Sequence, residues 1–271
     1  MRYLSLCLLV SLLLSGASAF AQSVADTTVS PYHLSLKREA IYLGLGTLMT
    51  GGAIVFQERV PETLLGQLQI QDFGENNFLD RSLGGLEERT PARKLSDKFL
   101  NFNAGLPLAL ALGKRTRKDL PKIALLYTET MALTGGITGL TKVTFLRARP
   151  YVLNDNWDPQ RELKSGDRAS LISGHTSLSA AGTFFFARVF ADYYPDSKLK
   201  PYVWVLAAGL PAATGYLRIR AAKHYPTDVL AGYAVGATVG YLVPALHKKA
   251  ILPRGLRVSG GATGVYLNYR F

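Results

Sequence analysis

The sequence predicts an all-α fold, a bundle of six helices closed by a short C-terminal β-hairpin. Three observations predict it. Six apolar segments of helical length recur between residues 39 and 247, separated by polar or basic stretches. Pro121, Pro201 and Pro226 stand at or near the first turn of three of them, where a missing N–H costs nothing. From Gly255 the tail becomes β-prone and roughly alternating around Gly260-Gly261, which is strand-and-turn chemistry.

The elements follow in order. Residues 1–21 read as a signal peptide, with Arg2 as the positive start and Leu4 to Leu14 as the apolar stretch. Ala17, Ala19 and Ala21 place cleavage after Ala19 or Ala21. That apolar run is short for a stable span. Cys7, the single cysteine of the chain, lies inside it, so a cleaved chain carries no thiol and no disulfide. Residues 22–97 comprise a polar lead-in, a helix from Glu39 to Phe56, and a polar excursion over 57–97 with Pro61, Pro91 and several glycines. Residues 98–250 hold the rest of the bundle. Its segments are Phe99–Leu112, Pro121–Thr141, Thr176–Tyr193, Pro201–Ile219 and Pro226–His247, with a basic irregular loop over 143–172. Residues 251–271 form the tail.

The 271 residues carry 31 Lys and Arg against 19 Asp and Glu, a formal charge of +12. Such a chain suits anionic partners. It lacks zinc-finger spacing and any long Lys/Arg run, so nucleic acid is the least suited of them. Phosphate esters and anionic lipid headgroups fit better.

Three motifs carry chemistry. Lys142 and Arg149-Pro150 close the third helix and open the loop beyond, and two cations so placed can converge on one anion. Arg147 adds a third charge; a solvated helix flank or a positive-inside signal would look the same. Ser173-Gly174-His175-Thr176 precedes the fourth helix. A Ser-Gly turn at a helix N-terminus is a natural phosphate seat, and His175 beside it can protonate a leaving alkoxide. Helix capping by Ser173 or Thr176 also explains this motif. Finally, Arg218 precedes His224 by six residues and Asp228 follows it by four. A carboxylate at that spacing can orient the imidazole and leave its other nitrogen free to attack, while Arg218 offers a permanent fork to phosphoryl oxygens. The alternative is a capping His with an exposed Asp.

Taken together, Lys142-x6-Arg149-Pro150, Ile172-Ser173-Gly174-His175 and Leu217-Arg218-x5-His224-x3-Asp228 resemble the three-part signature of the type 2 phosphatidic acid phosphatase superfamily. That superfamily also includes bacterial non-specific acid phosphatases and vanadium haloperoxidases. Ile172 stands where the pattern has Pro, and Leu217 where it has Ser. The resemblance implies a six-helix bundle of the phosphatidic acid phosphatase type. It implies His224 as nucleophile, Asp228 as its orienting partner and His175 as proton donor. Lys142, Arg149, Ser173, Gly174 and Arg218 would hold the phosphate. It implies no cofactor and no catalytic metal.

The expected activity is hydrolysis of a phosphate monoester or diphosphate, of a membrane lipid first, with a soluble periplasmic acid phosphatase as the alternative and a vanadate-dependent haloperoxidase as a remote one. The expected location is the cell envelope, membrane-associated with the site facing the periplasm. A topology count constrains this. If all six segments cross from an outside N-terminus, the motifs lie inside. An outside site then requires the short second segment not to cross, or no segment to cross at all.

Overall fold

The computed structural model describes residues 30–68, 78–81, 88–153, 158–248, 256–261 and 264–269. The signal-peptide reading falls outside them. Seven α-helices are present among these residues: α1 (Leu36–Glu58), α2 (Thr90–Gly105), α3 (Lys114–Lys118), α4 (Leu120–Phe145), α5 (Gly174–Tyr193), α6 (Lys200–Arg220) and α7 (Pro226–His247). β1 (Thr63–Leu64) pairs antiparallel with β2 (Glu162–Leu163). β3 (Leu256–Gly261) pairs antiparallel with β4 (Gly264–Tyr269), giving the expected C-terminal hairpin.

The second apolar segment differs most from expectation. Its helix starts at Thr90, inside the stretch read as a surface excursion, because Pro91 sits in the first turn. It gives way at Leu106 to 3₁₀ turns through Leu112, where Pro107 cannot continue the ladder. α3 is an added short helix in the basic Lys114–Lys118 run.

Packing is set by small residues. Gly232, Gly236 and Gly240 recur every four residues on α7 and lie directly against the α5 backbone. A Cβ at Gly232 would meet the Ser173 carbonyl at 2.6 Å, and one at Gly240 the Ala181 carbonyl at 2.5 Å. Gly46, Gly136 and Gly139 let α1 and α4 approach in the same way. At one end Tyr32, Leu110, Ile123, Phe185, Val189 and Val243 form the largest buried apolar cluster.

Six segments run the length of the bundle between two distinct ends. Asp97 of α2 meets His175 at one end. Arg115, just after the 3₁₀ turns, reaches the carbonyl of Tyr193 at the other. The second segment therefore runs beside α5 from one end of the bundle to the other. α2 is also poorly suited to lipid, since it carries Arg93, Lys94, Asp97 and Lys98. Only α1 and α7 among the described helices are long and apolar enough to cross a membrane.

Candidate active site

All three motifs meet at the end of the bundle where α4 and α6 finish and α5 and α7 begin. Lys142 lies in the last turn of α4. The helix is closed by Leu146 in the left-handed region, φ 45°, which folds Arg147 and Arg149 back over the bundle end. Arg218 lies in the last turn of α6. Ala222, at φ 54°, turns the chain so that His224 enters ahead of α7. A non-glycine residue there costs about 1–2 kcal/mol, so the surroundings must enforce the turn. The Tyr151 amide does part of this by donating to the Ala222 carbonyl at 3.2 Å. The glycine stripe of α7 then sets α5, with Ser173 and His175, alongside His224.

His224 is 2 % exposed. Its Nδ1 lies 2.7 Å from the Ser170 carbonyl, which can only accept, so Nδ1 carries the proton and Nε2 the lone pair. Asp228 is not the direct partner that the spacing suggested. Its Oδ2 lies 3.7 Å from Nδ1, too far for a hydrogen bond. The i,i+4 spacing brings the two residues near, but the α7 cap takes the carboxylate. Oδ2 accepts from the Ser170 hydroxyl at 2.5 Å and the Tyr225 amide at 2.9 Å. Oδ1 accepts from Arg147 at 2.5 Å. The Asp228 backbone carbonyl also accepts from the Ser173 amide at 3.0 Å. Asp228 thus acts on His224 through Ser170, while tying α5 to α7.

Arg147 is spent internally. It bridges Asp228 and Asp80, the latter at 2.8 Å, and lies 4.3 Å over the Tyr225 ring. It is therefore not the third phosphate cation that its place in the loop suggested. Asp80 completes the knot by accepting from the Thr227 amide and hydroxyl in the first turn of α7.

The remaining predicted residues gather around the His224 face. Arg149 is oriented by the Gly166 carbonyl at 2.8 Å and the Lys223 carbonyl at 3.2 Å. Lys142 donates to the Ala169 carbonyl at 2.6 Å. Arg218 reaches Ser96 Oγ at 3.3 Å, and its buried Nε has no hydrogen-bond partner. Ser173 caps α5, its Oγ accepting from the Thr176 amide at 3.4 Å, as the capping reading of this serine expects. Gly174 is the first helical residue rather than a left-handed turn. A Cβ there would stand 3.8 Å from the Lys142 stem. His175 Nε2 donates to Asp97 at 2.8 Å, and Arg218 lies 3.8 Å from the same carboxylate.

The electrostatics follow from burial among cations. The His224 pKa is held well below the usual range by burial, then by Arg149, Lys142 and Arg218, so the ring stays neutral. Burial and Arg218 push His175 down to about 4, against the pull of Asp97. Burial, with Arg149 nearby, lowers Lys142 to about 7. A cluster of buried cations only partly balanced by Asp97 and Asp228 is relieved by an anion. Chemically, it offers a neutral imidazole nucleophile, a second imidazole, and three fixed or switchable cations aimed at one small volume.

Sequence reasoning missed Asp97, Asp80 and Ser170. Asp80 and Asp97 lie in the stretch read as a polar excursion, and nothing in a single sequence marks them.

Residues 123–252 match the family model of the PAP2 superfamily. All eight predicted site residues fall within the PAP2 match, whereas Asp97 and Asp80 lie before it. Among solved structures, the chain is similar to the first transmembrane PAP2-type phosphatidylglycerolphosphate phosphatase from Bacillus subtilis. The identity is 18 % over 88 % of this chain and 94 % of that one, with a TM-score of 0.42. No curated protein is detectably similar in sequence.

Proposed function

We propose that the protein is a metal-independent phosphatase that hydrolyses a phosphate monoester or diphosphate of a membrane lipid through a phospho-histidine. The observation that carries this reading is the commitment of His224 Nδ1 to the Ser170 carbonyl inside a ring of cations. Nε2 attacks phosphorus as the ester P–O bond breaks, and His175, charged on binding the dianion, gives its proton to the leaving oxygen. Water then attacks the phosphoryl group, neutral His175 takes its proton, and the P–N bond breaks. Lys142, Arg149 and Arg218 hold the phosphoryl oxygens throughout. Asp97 keeps the His175 ring facing the leaving group.

A lipid substrate is supported by the surface. Leu48 of α1 is 76 % exposed and Val205 of α6 70 %, and Phe145 beside the site is 62 % exposed. Isolated exposed apolar residues need no explanation, but a belt over several helices marks a membrane contact. A cleft of about 340 Å³ lined by Phe56, Val60, Pro61, Leu140, Val143 and Leu146 opens at the phosphate end, suited to an acyl chain.

The helical path sharpens the location. An exported leader puts residue 30 outside, and six crossings from there would carry the site into the cytoplasm. A periplasmic site therefore goes with a bundle that embeds its apolar belt without six crossings, as the charged α2 favours. Phosphate release from long-chain phosphatidate, phosphatidylglycerophosphate, polyprenyl diphosphate and lipid A tests the substrate class against short-chain and water-soluble esters. The reading expects His224→Ala to abolish release from all of them. Equal rates on water-soluble and long-chain esters would refute the lipid assignment.

A further inference from the structure

At the opposite end of the bundle, α1, α4 and α7 bring together Glu39, Glu129 and His247, which are 3 %, 0 % and 0 % exposed. His247 Nδ1 lies 2.7 Å from the Val243 carbonyl and must donate to it. A neutral ring then presents its Nε2 lone pair. That nitrogen faces Glu39 Oε2 at 2.7 Å and Glu129 Oε2 at 3.3 Å. Three acceptors therefore converge on one point.

Their other partners are unequal. Glu39 also accepts from the Ser35 amide and from Arg38. Glu129 has no such support, and neither carboxylate oxygen has a hydrogen-bond partner among the described residues. A fully buried, unpartnered carboxylate is costly. A proton on His247 Nε2 bonds Glu39 at 2.7 Å and lies 3.3 Å from Glu129 Oε2, which still leaves Glu129 Oε1 without a hydrogen-bond partner among the described residues. A cation seated among the three groups would face the imidazole lone pair and one oxygen of each carboxylate at once. A ring nitrogen anchored to a backbone carbonyl is also the usual way a metal-bound imidazole is oriented. One ligand atom from each residue lies within 4.8 Å of the others.

We propose that Glu39, Glu129 and His247 bind one first-row divalent cation, of the zinc or manganese kind. One imidazole nitrogen with two carboxylate oxygens suits such ions. The site is separate from the phosphate end, at roughly 30 Å along α7 from the helix rise. Its effect is mechanical: it clamps the first turn of α1 to α4 and α7, with Arg38 bracing Glu39 from outside.

The test uses full-length protein purified in detergent, loaded with zinc or manganese and desalted, with metal content read by elemental mass spectrometry. One equivalent per chain is expected in the wild type and in His224→Ala, and less than a tenth of that in Glu129→Gln and His247→Gln. Circular dichroism checks that the variants stay helical. Should they unfold, the wild type alone decides, since a chelator must then lower its thermal midpoint and zinc must restore it. Wild-type protein that takes up neither metal and whose midpoint ignores chelator would overturn the site. So would helical variants that keep their metal.

Discussion

The two ends of α7 pose the same histidine to opposite surroundings. His224 and His247 are both buried, and each has Nδ1 anchored to a backbone carbonyl at 2.7 Å. Around His224 stand Lys142, Arg149 and Arg218. Around His247 stand Glu39 and Glu129. The ring and its anchor are the same, so the difference lies in the charge the free nitrogen meets. Cations make the first end a seat for an anion and leave the lone pair as a nucleophile. Carboxylates make the second end a seat for a cation and turn the lone pair into a ligand. Burial alone therefore does not assign a histidine its role; the sign of the neighbouring fixed charges does.

The largest expected effect separates the ends outright. His224→Ala should lower kcat/KM on the order of 10⁴-fold or more, as removal of a covalent nucleophile does, while the thermal midpoint stays near wild type. Glu129→Gln should do the reverse, lowering the midpoint and leaving chemistry nearly intact. Next, His175→Ala should cost about 10²–10⁴-fold on alkyl esters and much less on an aryl phosphate, whose leaving group needs no proton. Equal losses on both would contradict its role as acid.

Asp228→Asn tests the revised geometry. It leaves Arg147 without one of its buried counter-charges and should lower unfolding free energy by about 3–5 kcal/mol in denaturant titrations. Asp228 reaches His224 through the Ser170 hydroxyl, so Ser170→Ala should lower kcat/KM by a large part of the loss seen in Asp228→Asn. A near-silent Ser170→Ala beside a large loss in Asp228→Asn would return Asp228 to direct contact with the ring.

The pH profile provides a smaller but pointed test. Lys142, lowered to about 7, is charged below that pH and loses its charge above it, so kcat/KM should fall on the alkaline side from near neutrality. Lys142→Arg, which cannot deprotonate, should abolish that limb. His224 stays neutral well below the usual imidazole range, so the acid limb that an ordinary imidazole nucleophile would give should be missing from the profile of the free enzyme. Smallest of all, Asp97→Asn should reduce kcat by roughly tenfold on alkyl esters, about the worth of one charge-assisted hydrogen bond.

The contrast between the ends also explains what a single sequence can show. That three motifs would meet at one end was legible because its groups come as three short runs whose spacing reflects one helix end each. Lys142, Ser173, His175, Arg218 and His224 could be named without coordinates. Their supporting acids could not. Asp80 and Asp97 come from a polar stretch with no periodicity to mark it, and the role of Arg147 changed once Asp80 was in place. Glu39, Glu129 and His247 were invisible because 90 and 118 residues separate them in sequence. Nor did the sequence show that a 3₁₀ stretch would carry the second segment the whole length of the bundle.

The most direct test of the central claim is to quench turnover in acid-free denaturant and map the phosphorylated peptide by mass spectrometry. The account predicts a phosphoryl group on His224 in wild-type protein, none in His224→Ala, and accumulation in His175→Ala on an aryl phosphate. A phosphoryl group on any other residue, or full turnover by His224→Ala, would contradict it.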